Sequence, residues 1–231
     1  MSNSNKIITD DEFGEIEIRR VRGVYVRLKV QPNGKIVAQL PRLVPLREVT
    51  KLIEKSRPSL RKMLENHQTP ALNYDDGAMI GKSHKLSIQR GDQESMKVKG
   101  LDIIVTVTPA TSAAVKTRLI KDGVTKALRQ EAKAYLPRRL KFLAEQHGFA
   151  YSQVRFAHAK SRWGSCSSRS TISLNIMLMT LPNELIDYVL LHELNHTKHM
   201  NHSREFWVDL ERVYPGAKIY KKKLHDFSPF L

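Results

Sequence analysis

Apolar and polar residues alternate along much of the first 110 positions, with the period of two that is typical of a half-buried β-strand. The alternation covers stretches of residues 15–30, and a second apolar run follows at 36–40. Residues 31–35 between these runs read Gln-Pro-Asn-Gly-Lys, which favours a hairpin turn. Residues 82–89 and 97–108 predict another pair of strands. The N-terminal region is therefore predicted to be rich in β-structure.

Apolar residues spaced three and four apart, the period of an α-helix, predict three longer elements. The first covers residues 46–64, with an interruption or kink at Pro58, and the second covers 115–147, with a break near Pro137. The third begins after Pro182 and carries a mainly apolar face. No internal repeat is visible in the sequence.

Two short strands, at 151–157 and 170–175, are predicted between the long second helix and the third. Strands and helices in this order indicate the α+β class. We assign residues 1–110 to a β-rich N-terminal region packed on the core, and residues 111–231 to the core itself. The two are expected to form one continuous structural unit over 15–228.

The strand at 170–175 is a candidate edge strand beside the third helix, where an extended peptide could be aligned by backbone pairing. Packing of Ile172 and Leu174 in the core explains the same pattern at least as well. The sequence leaves both interpretations open.

The composition is that of an ordinary globular protein, with 41% hydrophobic and 27% charged residues. No apolar run is long enough to span a bilayer, and the N-terminus lacks the pattern of a secretory signal. The single cysteine, Cys166, excludes an intrachain disulfide and fits a reducing compartment. We therefore expect a cytoplasmic protein with no membrane partner.

The formal net charge of +16 is spread over both halves of the chain and is densest in residues 116–141. A distributed positive field favours polyanions such as nucleic acid, and such binding weakens as salt rises. Basic residues that only solvate one face of a helix would give the same composition. Nucleic acid is thus an expected partner through the basic surface, although basicity alone is weakly diagnostic.

The candidate chemistry lies in residues 192–207, where His192 and His196 enclose the pattern H-E-x-x-H. Histidines four apart project from the same face of a helix, so one metal ion can take both imidazoles. Glu193 lies about 100° round the helix, where it can reach a metal-bound water without ligating the metal. His202, six positions after His196, offers a third ligand and leaves the fourth tetrahedral position of Zn²⁺ open, as hydrolysis requires.

Spacing alone does not fix the third ligand. His199 lies three residues after His196 and could compete with His202, and a carboxylate of the next helix is the other alternative. The carboxylates in question are Glu205, Asp209 and Glu211. We favour His202, because His199 is still close to the helix and would be strained in a facial set of three ligands.

The residues around this motif form a long and distinctive string. Residues 161–166 read SRWGSC, residues 172–175 read ISLN, residues 187–189 read DYV, and residues 192–207 read HELNHTKHMNHSREFW. The string resembles the YgjP-like metallopeptidase family, most strongly over 150–215. Its histidine motif, followed closely by an aromatic residue, is also similar to the Wss1-like and SprT-like metalloproteases, members of which cleave proteins crosslinked to DNA.

The resemblance implies a zincin-like fold, so that the expected architecture is α+β with a zincin-like metallopeptidase core behind the β-rich region. It implies zinc ligands at His192, His196 and His202 and a catalytic base at Glu193, and the chain matches each position. The substrate is not implied in the same way. Some family members carry a nucleotide pyrophosphatase label that the motif itself does not explain.

These residues predict a zinc-dependent peptidase acting on protein or peptide substrates, and the basic charge extends the prediction to nucleic-acid-associated proteins. Glu193 would take a proton from the attacking water and pass it to the leaving nitrogen. The tetrahedral oxyanion requires one donor in addition to the metal. The candidates for this donor, or for a substrate contact, are Arg162, Asn175 and Tyr188.

Two other classes of function compete with the peptidase. A metal-dependent nucleotide pyrophosphohydrolase is the main alternative, but the sequence shows neither a phosphate-cradling glycine loop nor an Asp and Glu cluster suited to Mg²⁺. A nucleic-acid-binding module with a structural zinc would normally close the metal with four ligands rich in cysteine. One cysteine in the chain argues against that third class.

Overall fold

A computed structural model describes residues 6–30, 35–67 and 74–229 of the chain. Within these ranges it contains five α-helices, one 3₁₀-helix and three sheets, each of which mixes parallel and antiparallel pairs. The chain separates into two units, Met1–Pro70 and Ala71–Leu231. The predicted α+β class is confirmed.

The first unit is a four-stranded sheet followed by one helix. Its strands are β1 (Lys6–Asp10), β2 (Gly14–Val21), β3 (Arg27–Val30) and β4 (Ile36–Pro41), in the spatial order β1-β2-β4-β3. Strands β3 and β4 pair antiparallel, as the predicted hairpin requires, while turn residues 31–34 lie outside the described residues. The central pair, β2 and β4, is parallel.

Helix α1 (Arg47–His67) packs its apolar face into the core of this sheet. The sequence predicts an interruption or kink at Pro58, but the helix continues through that residue. Buried side chains on both sides of the proline hold the helix in place, and their packing offsets the backbone hydrogen bond that proline cannot donate. These side chains are Val49, Ile53 and Leu60.

The second unit begins with the same arrangement of strands. They are β5 (Met79–Ile80), β6 (His84–Arg90), β7 (Ser95–Lys99) and β8 (Asp102–Val107), in the order β5-β6-β8-β7, with β6 and β8 parallel. The single strand predicted over 97–108 is wrong, because Gly100, at φ 59°, turns the chain between β7 and β8. The topology of the first unit is therefore repeated. The repeat lies in how the strands pair and not in which residues they contain, so the sequence shows no internal repeat.

Helix α2 (Ala113–His147) follows this sheet and has well-defined ends. Ser112 caps its start, since its Oγ accepts a hydrogen bond from the N–H of Val115. Gly148 ends it in the left-handed conformation, at φ 65°. The sequence predicted a helix of nearly these bounds.

The break that the sequence predicts near Pro137 does not occur, and α2 runs through this residue. Leu136 and Leu140 beside it are fully buried, so tertiary packing maintains the helix. No helix in the part of the chain that the structure describes is long and apolar enough to cross a membrane. The cytoplasmic location stays a prediction.

A three-stranded sheet comes next, with β9 (Gln153–Ala157), β10 (Gly164–Cys166) and β11 (Thr171–Asn175) in the order β10-β11-β9. The strand proposed as an edge, at 170–175, is β11, which is central and paired on both sides. The edge-strand interpretation is therefore wrong for these residues, whose apolar pattern reflects core packing. One edge of the sheet is β10, for which the sequence predicts no strand.

Helices α3 (Asn183–Asn195), α4 (Arg204–Val213) and α5 (Ala217–Leu224) complete the second unit. Helix α3 is buried on most of its circumference and contacts α2, α4, α5 and β10. Arg139 of α2 also donates two hydrogen bonds to the carboxylate of Asp187 in α3, at 2.7 and 2.6 Å. An element held from so many sides is a rigid base for the residues it carries.

The boundary between the units falls at 70/71, whereas the sequence placed it at 110/111. The strands of residues 79–107 share one buried cluster with α2, which includes Leu86, Ile103 and Val124. These strands belong with the helix that follows them. The contacts between these strands and α2 join residues that are far apart in the chain. Local composition therefore does not mark the boundary between the two units.

Candidate metal centre

Three histidines meet at the end of α3. His192 lies in the last turn of the helix, His196 at its C-terminal end, and His202 in the segment that leads to α4. One nitrogen of each ring lies within 4.8 Å of a nitrogen of both others, and the Nε2 atoms of His192 and His202 are 3.0 Å apart. Two nitrogen ligands of a tetrahedral zinc ion would be separated by about 3.3 Å. The ring spacing therefore fits a single metal ion.

The backbone orients the ring of His196. Its Nδ1 lies 2.9 Å from the carbonyl oxygen of His199, and a carbonyl oxygen only accepts hydrogen bonds. The proton therefore resides on Nδ1, and Nε2 presents a lone pair. Histidines that bind metals are commonly held in this way.

The alternatives to His202 are engaged elsewhere. The Nε2 of His199 lies 2.7 Å from Oδ2 of Asp209, and Glu211 accepts a hydrogen bond from the N–H of Gly216 at 2.7 Å. Neither these residues nor Glu205 belongs to a group that could hold a metal. Among the described residues, that group consists of the three histidines of the motif.

The aromatic ring of Phe206 packs against all three histidines. The ring centroid of Phe206 lies between 4.7 and 5.0 Å from those of all three imidazoles. The backbone of Phe206 connects α4 to α3, because its N–H donates to Oγ of Ser203, the N-cap of α4, and its carbonyl accepts from Nδ2 of Asn195 in α3. Burial of this ring therefore couples the end of α3 to the start of α4.

Glu193 is almost completely buried, with 5% of its surface exposed. Burial raises the pKa of its carboxyl group to about 8, against an opposing effect of the Arg162 guanidinium. Its Oε2 is buried without a hydrogen-bond partner in the described part of the chain. A buried carboxyl group left in this state lowers the stability of the fold, which points to a role in chemistry.

Strand β10 approaches Glu193 so closely that it leaves no room for a side chain at Gly164. A Cβ atom at this position would lie 2.7 Å from both Cγ and Oε1 of Glu193. The glycine thus permits the backbone to confine the carboxyl group. Sequence reasoning did not identify this role, because the proximity depends on strand pairing that local patterns do not show.

The imidazoles of His192 and His202 are held in their neutral form. Burial, followed by the nearby His196, His202 and Lys221, lowers the pKa of His192 to about 3. Burial, followed by His196 and Lys221, also lowers the pKa of His202. Neutral rings keep the lone pairs that a metal cation requires. The donor set therefore fits a divalent metal ion.

Lys221 is a residue near the centre that sequence reasoning did not identify. Its Nζ lies 4.6 Å from the centroid of Trp207, whose ring is 6.0 Å from that of His202. The chain returns to the site through a turn at Gly216, at φ 82°. No pattern within α5 indicates this return.

Asn175 is the first of the three residues predicted to contact substrate. It is 2% exposed, and its Nδ2 donates to the carbonyl oxygens of Ala159, Arg162 and Pro229, at 2.8 to 2.9 Å. Its amide group therefore holds the segment before β10 in place. The donors of this side chain are used inside the protein.

Tyr188 and Arg162 are the other two residues predicted to contact substrate or to stabilise the oxyanion. Tyr188 is buried, its ring centroid lies 5.8 Å from that of His192, and burial raises its pKa to about 12. Arg162 is exposed, lies two residues before β10, and is near enough to Glu193 to influence its pKa. The structure thus brings both residues close to the H-E-x-x-H motif.

A cluster of neutral histidines beside a buried carboxyl group is typical of metal-dependent hydrolases. The family model described as "YgjP-like, metallopeptidase domain" matches residues 24–227, which is most of the chain. The protein is therefore of the metallopeptidase class, a class that implies a divalent metal. The chain belongs to the YgjP-like metallopeptidase family, which confirms the resemblance seen in the sequence.

Two solved structures of metallopeptidase zymogens are similar to parts of this chain. Abylysin of Pyrococcus abyssi is 30% identical over 38% of this chain and 90% of that one, with a TM-score of 0.35. Jannalysin of Methanocaldococcus jannaschii is 22% identical over 38% of this chain and 91% of that one, also with a TM-score of 0.35. No curated protein matches the chain.

Proposed function

We propose that this protein is a zinc-dependent peptidase with a zincin-like core, which hydrolyses protein or peptide substrates. The observation that carries the proposal is the meeting of three imidazoles and a buried carboxyl group at the end of α3. Zinc held by His192, His196 and His202 would supply a Lewis acid and would lower the pKa of a water molecule to about 7.

Glu193 would hold and move the proton. Its Oε2 makes no hydrogen bond with a described residue, so this oxygen is available to accept a proton from the attacking water and to deliver it to the leaving nitrogen. Its pKa of about 8 lies near neutrality, where a general base works best. Gly164 supports this role, since the adjacent backbone limits where the carboxyl group can move.

The edge strand β10 would align the substrate. Within the described residues it pairs only with β11, so its other side is available to an extended peptide. Arg162 would then contact the substrate carbonyl or stabilise the oxyanion, because it is exposed, lies two residues before β10 and is near enough to Glu193 to influence the pKa of that residue. Tyr188 stays the second candidate for this donor, and Asn175 would position the segment that carries Arg162.

The proposal is tested by incubating an unfolded protein with the wild type and with Glu193→Gln. We expect cleavage by the wild type, loss of cleavage on chelation of the metal, and a rate reduced by about 10²–10⁴ in the variant, because a positioned base contributes that factor. Both proteins should bind the same amount of zinc. Release of pyrophosphate from nucleoside triphosphates, with proteins left intact, would contradict the peptidase function and support the alternative, a nucleotide pyrophosphohydrolase.

We also propose that nucleic acid associates with the exposed side of α2, so that nucleic-acid-bound proteins are among the substrates. The observation in favour is a series of exposed basic residues along the helix, namely Lys116, Arg118, Lys121, Lys126, Lys133, Arg138 and Lys141. Binding to single-stranded DNA should weaken steeply with salt, and the DNA should stimulate proteolysis. Affinity that is constant from low to physiological ionic strength would exclude this association.

A further inference from the structure

The outer face of the third sheet contains a pocket of which the proposed chemistry uses one residue, Arg162. Its volume is about 430 Å³, and polar side chains from β9, β10, β11 and the adjoining loops line it. Three of these are arginines, Arg155, Arg162 and Arg169, and several others carry hydroxyl groups. We refer to the three guanidinium groups and the hydroxyls between them as the arginine pocket.

The arginines of this pocket have no salt-bridge partner among the described residues. No carboxylate lines the pocket, and none of the three arginines forms a salt bridge with a described residue. By contrast, Arg139 of the same unit binds the carboxylate of Asp187 at 2.6 Å. Three positive charges that form no salt bridge with a described residue, gathered around one concave surface, favour an anionic ligand.

Strand β10 separates the arginine pocket from the metal centre. Ser165 of β10, Ser173 of β11 and Arg155 of β9 are paired side by side, so their side chains lie on the same face of the sheet. At the neighbouring Gly164, a Cβ atom would point toward Glu193, which lies on the other face of the sheet. Adjacent residues of β10 thus face the pocket and the proposed catalytic carboxyl group, respectively.

We propose that the arginine pocket is a subsite for acidic side chains of a peptide substrate aligned on β10. The proposal rests on the proposed peptidase function and deepens it by naming the substrate class. A peptide paired with β10 would direct every second side chain to the face that carries the pocket. Arginine binds carboxylates through two parallel hydrogen bonds. Aspartate or glutamate at positions i and i+2 is therefore preferred, and acidic residues at adjacent positions are not.

A nucleic acid is the other polyanion that such a charge could attract. Single-stranded nucleic acids are generally bound by aromatic side chains on which bases stack, together with basic groups. The residues that line the pocket include no aromatic ring. The observations therefore favour a carboxylate-bearing peptide over a polynucleotide.

Binding to the Glu193→Gln protein tests the subsite without relying on turnover. Two fluorescent peptides are compared, which carry either aspartate or asparagine at positions i and i+2 and are otherwise identical. Glu193→Gln alone should prefer the acidic peptide, and adding Arg155→Gln and Arg169→Gln should reduce that preference roughly three- to tenfold. A matched control adds Arg42→Gln and Arg90→Gln, which remove the same charge from exposed arginines outside the pocket and should leave the preference unchanged.

The outcomes separate the subsite from the peptidase reaction. Equal binding of the two peptides, or an equal loss of preference in both sets of variants, would overturn the subsite. A pocket-dependent affinity for single-stranded DNA without any preference for the acidic peptide would also overturn it. If the acidic preference depends on the pocket arginines but the wild type cleaves no peptide, the subsite is supported and the peptidase function fails.

Discussion

At the scale of the residue, Gly164 and Glu193 show how a position without a side chain can confine the group that we propose as the general base. The backbone of β10 occupies the space next to the carboxyl group, and a Cβ atom there would meet Glu193 at 2.7 Å. Since Glu193 is 5% exposed, it has little room to move aside. The position of the proposed general base should therefore depend on this glycine.

Gly164→Ala should lower kcat by about tenfold or more, because a displacement of roughly 1 Å can cost a factor of 10². The variant should still bind metal, since the histidines do not contact this position. Steady-state kinetics with a peptide substrate, together with metal analysis, measures both effects. Gly23→Ala is the matched control, since nothing lies within 4 Å of its Cβ position. Unchanged kinetics in Gly164→Ala would show that Glu193 is not confined in this way.

The residues of the site differ in how far the sequence predicts them. His192, Glu193 and His196 follow from helical spacing, because positions four apart must share a face. The structure brings His202 to this pair and turns His199 toward Asp209. That choice depends on the conformation of the turn between α3 and α4, which no periodic pattern encodes. Gly164 and Lys221 were missed for the same reason, since each reaches the site through tertiary contacts.

At the scale of the element, Glu131 joins α2 to the start of β6. Its carboxylate accepts hydrogen bonds from the backbone N–H groups of Lys82, Ser83 and His84 and from Oγ of Ser83, and it lies 2.7 Å from Nδ1 of His84. Burial raises the pKa of Glu131, but these hydrogen bonds outweigh burial and hold the pKa below its usual value of 4.5. The ionised form is thus the one that stabilises the fold.

Glu131→Gln should reduce the free energy of unfolding by about 1–3 kcal/mol at neutral pH, because it leaves buried donors without an acceptor. A carboxyl group with a lowered pKa in the folded state contributes stability above its unfolded pKa, and this contribution is lost as pH falls through the folded value. The wild type should therefore lose stability below about pH 4.5 more steeply than the variant. Denaturant unfolding measures this through Trp163 and Trp207, which both lie in the second unit. Parallel pH profiles would contradict the assignment.

The long helices and the strands β9 and β11 were predicted well, and the shortest strands were not. The bounds of α2 follow from a helical pattern that begins at Ser112 and ends at Gly148. Strand β10 covers only Gly164–Cys166, which is too short for a period of two to be recognised. The predictions at Pro58 and Pro137 failed because local propensity was outweighed by packing, which holds both helices intact.

At the scale of the whole molecule, the chain consists of two units that share one strand topology. The first sheet has the order β1-β2-β4-β3 and the second the order β5-β6-β8-β7, and a helix follows each. The candidate metal centre and the arginine pocket both lie in the second unit, Ala71–Leu231. Each unit has a separate buried cluster of its own.

Residues 71–231 should therefore fold when expressed without the first unit, and should bind zinc with the stoichiometry of the full chain. The physical reason is that the buried residues around α3 are contributed by this unit. Thermal unfolding followed by tryptophan fluorescence, with metal analysis of the same sample, measures both properties, and the full chain is the control. A fragment that unfolds without a cooperative transition would show that the second unit depends on the first.

The most direct test of the account is the amount of metal bound by untagged protein, measured by elemental analysis in the wild type, His202→Ala and His199→Ala. We expect near-equimolar zinc in the wild type and in His199→Ala, and a sharp reduction in His202→Ala, because the three clustered imidazoles supply the ligands. Zinc retained in His202→Ala but lost in His199→Ala would show that the third ligand is His199 and not His202. A wild type that binds no zinc after reconstitution would contradict the central claim, since the proposed chemistry would then have no metal on which to depend.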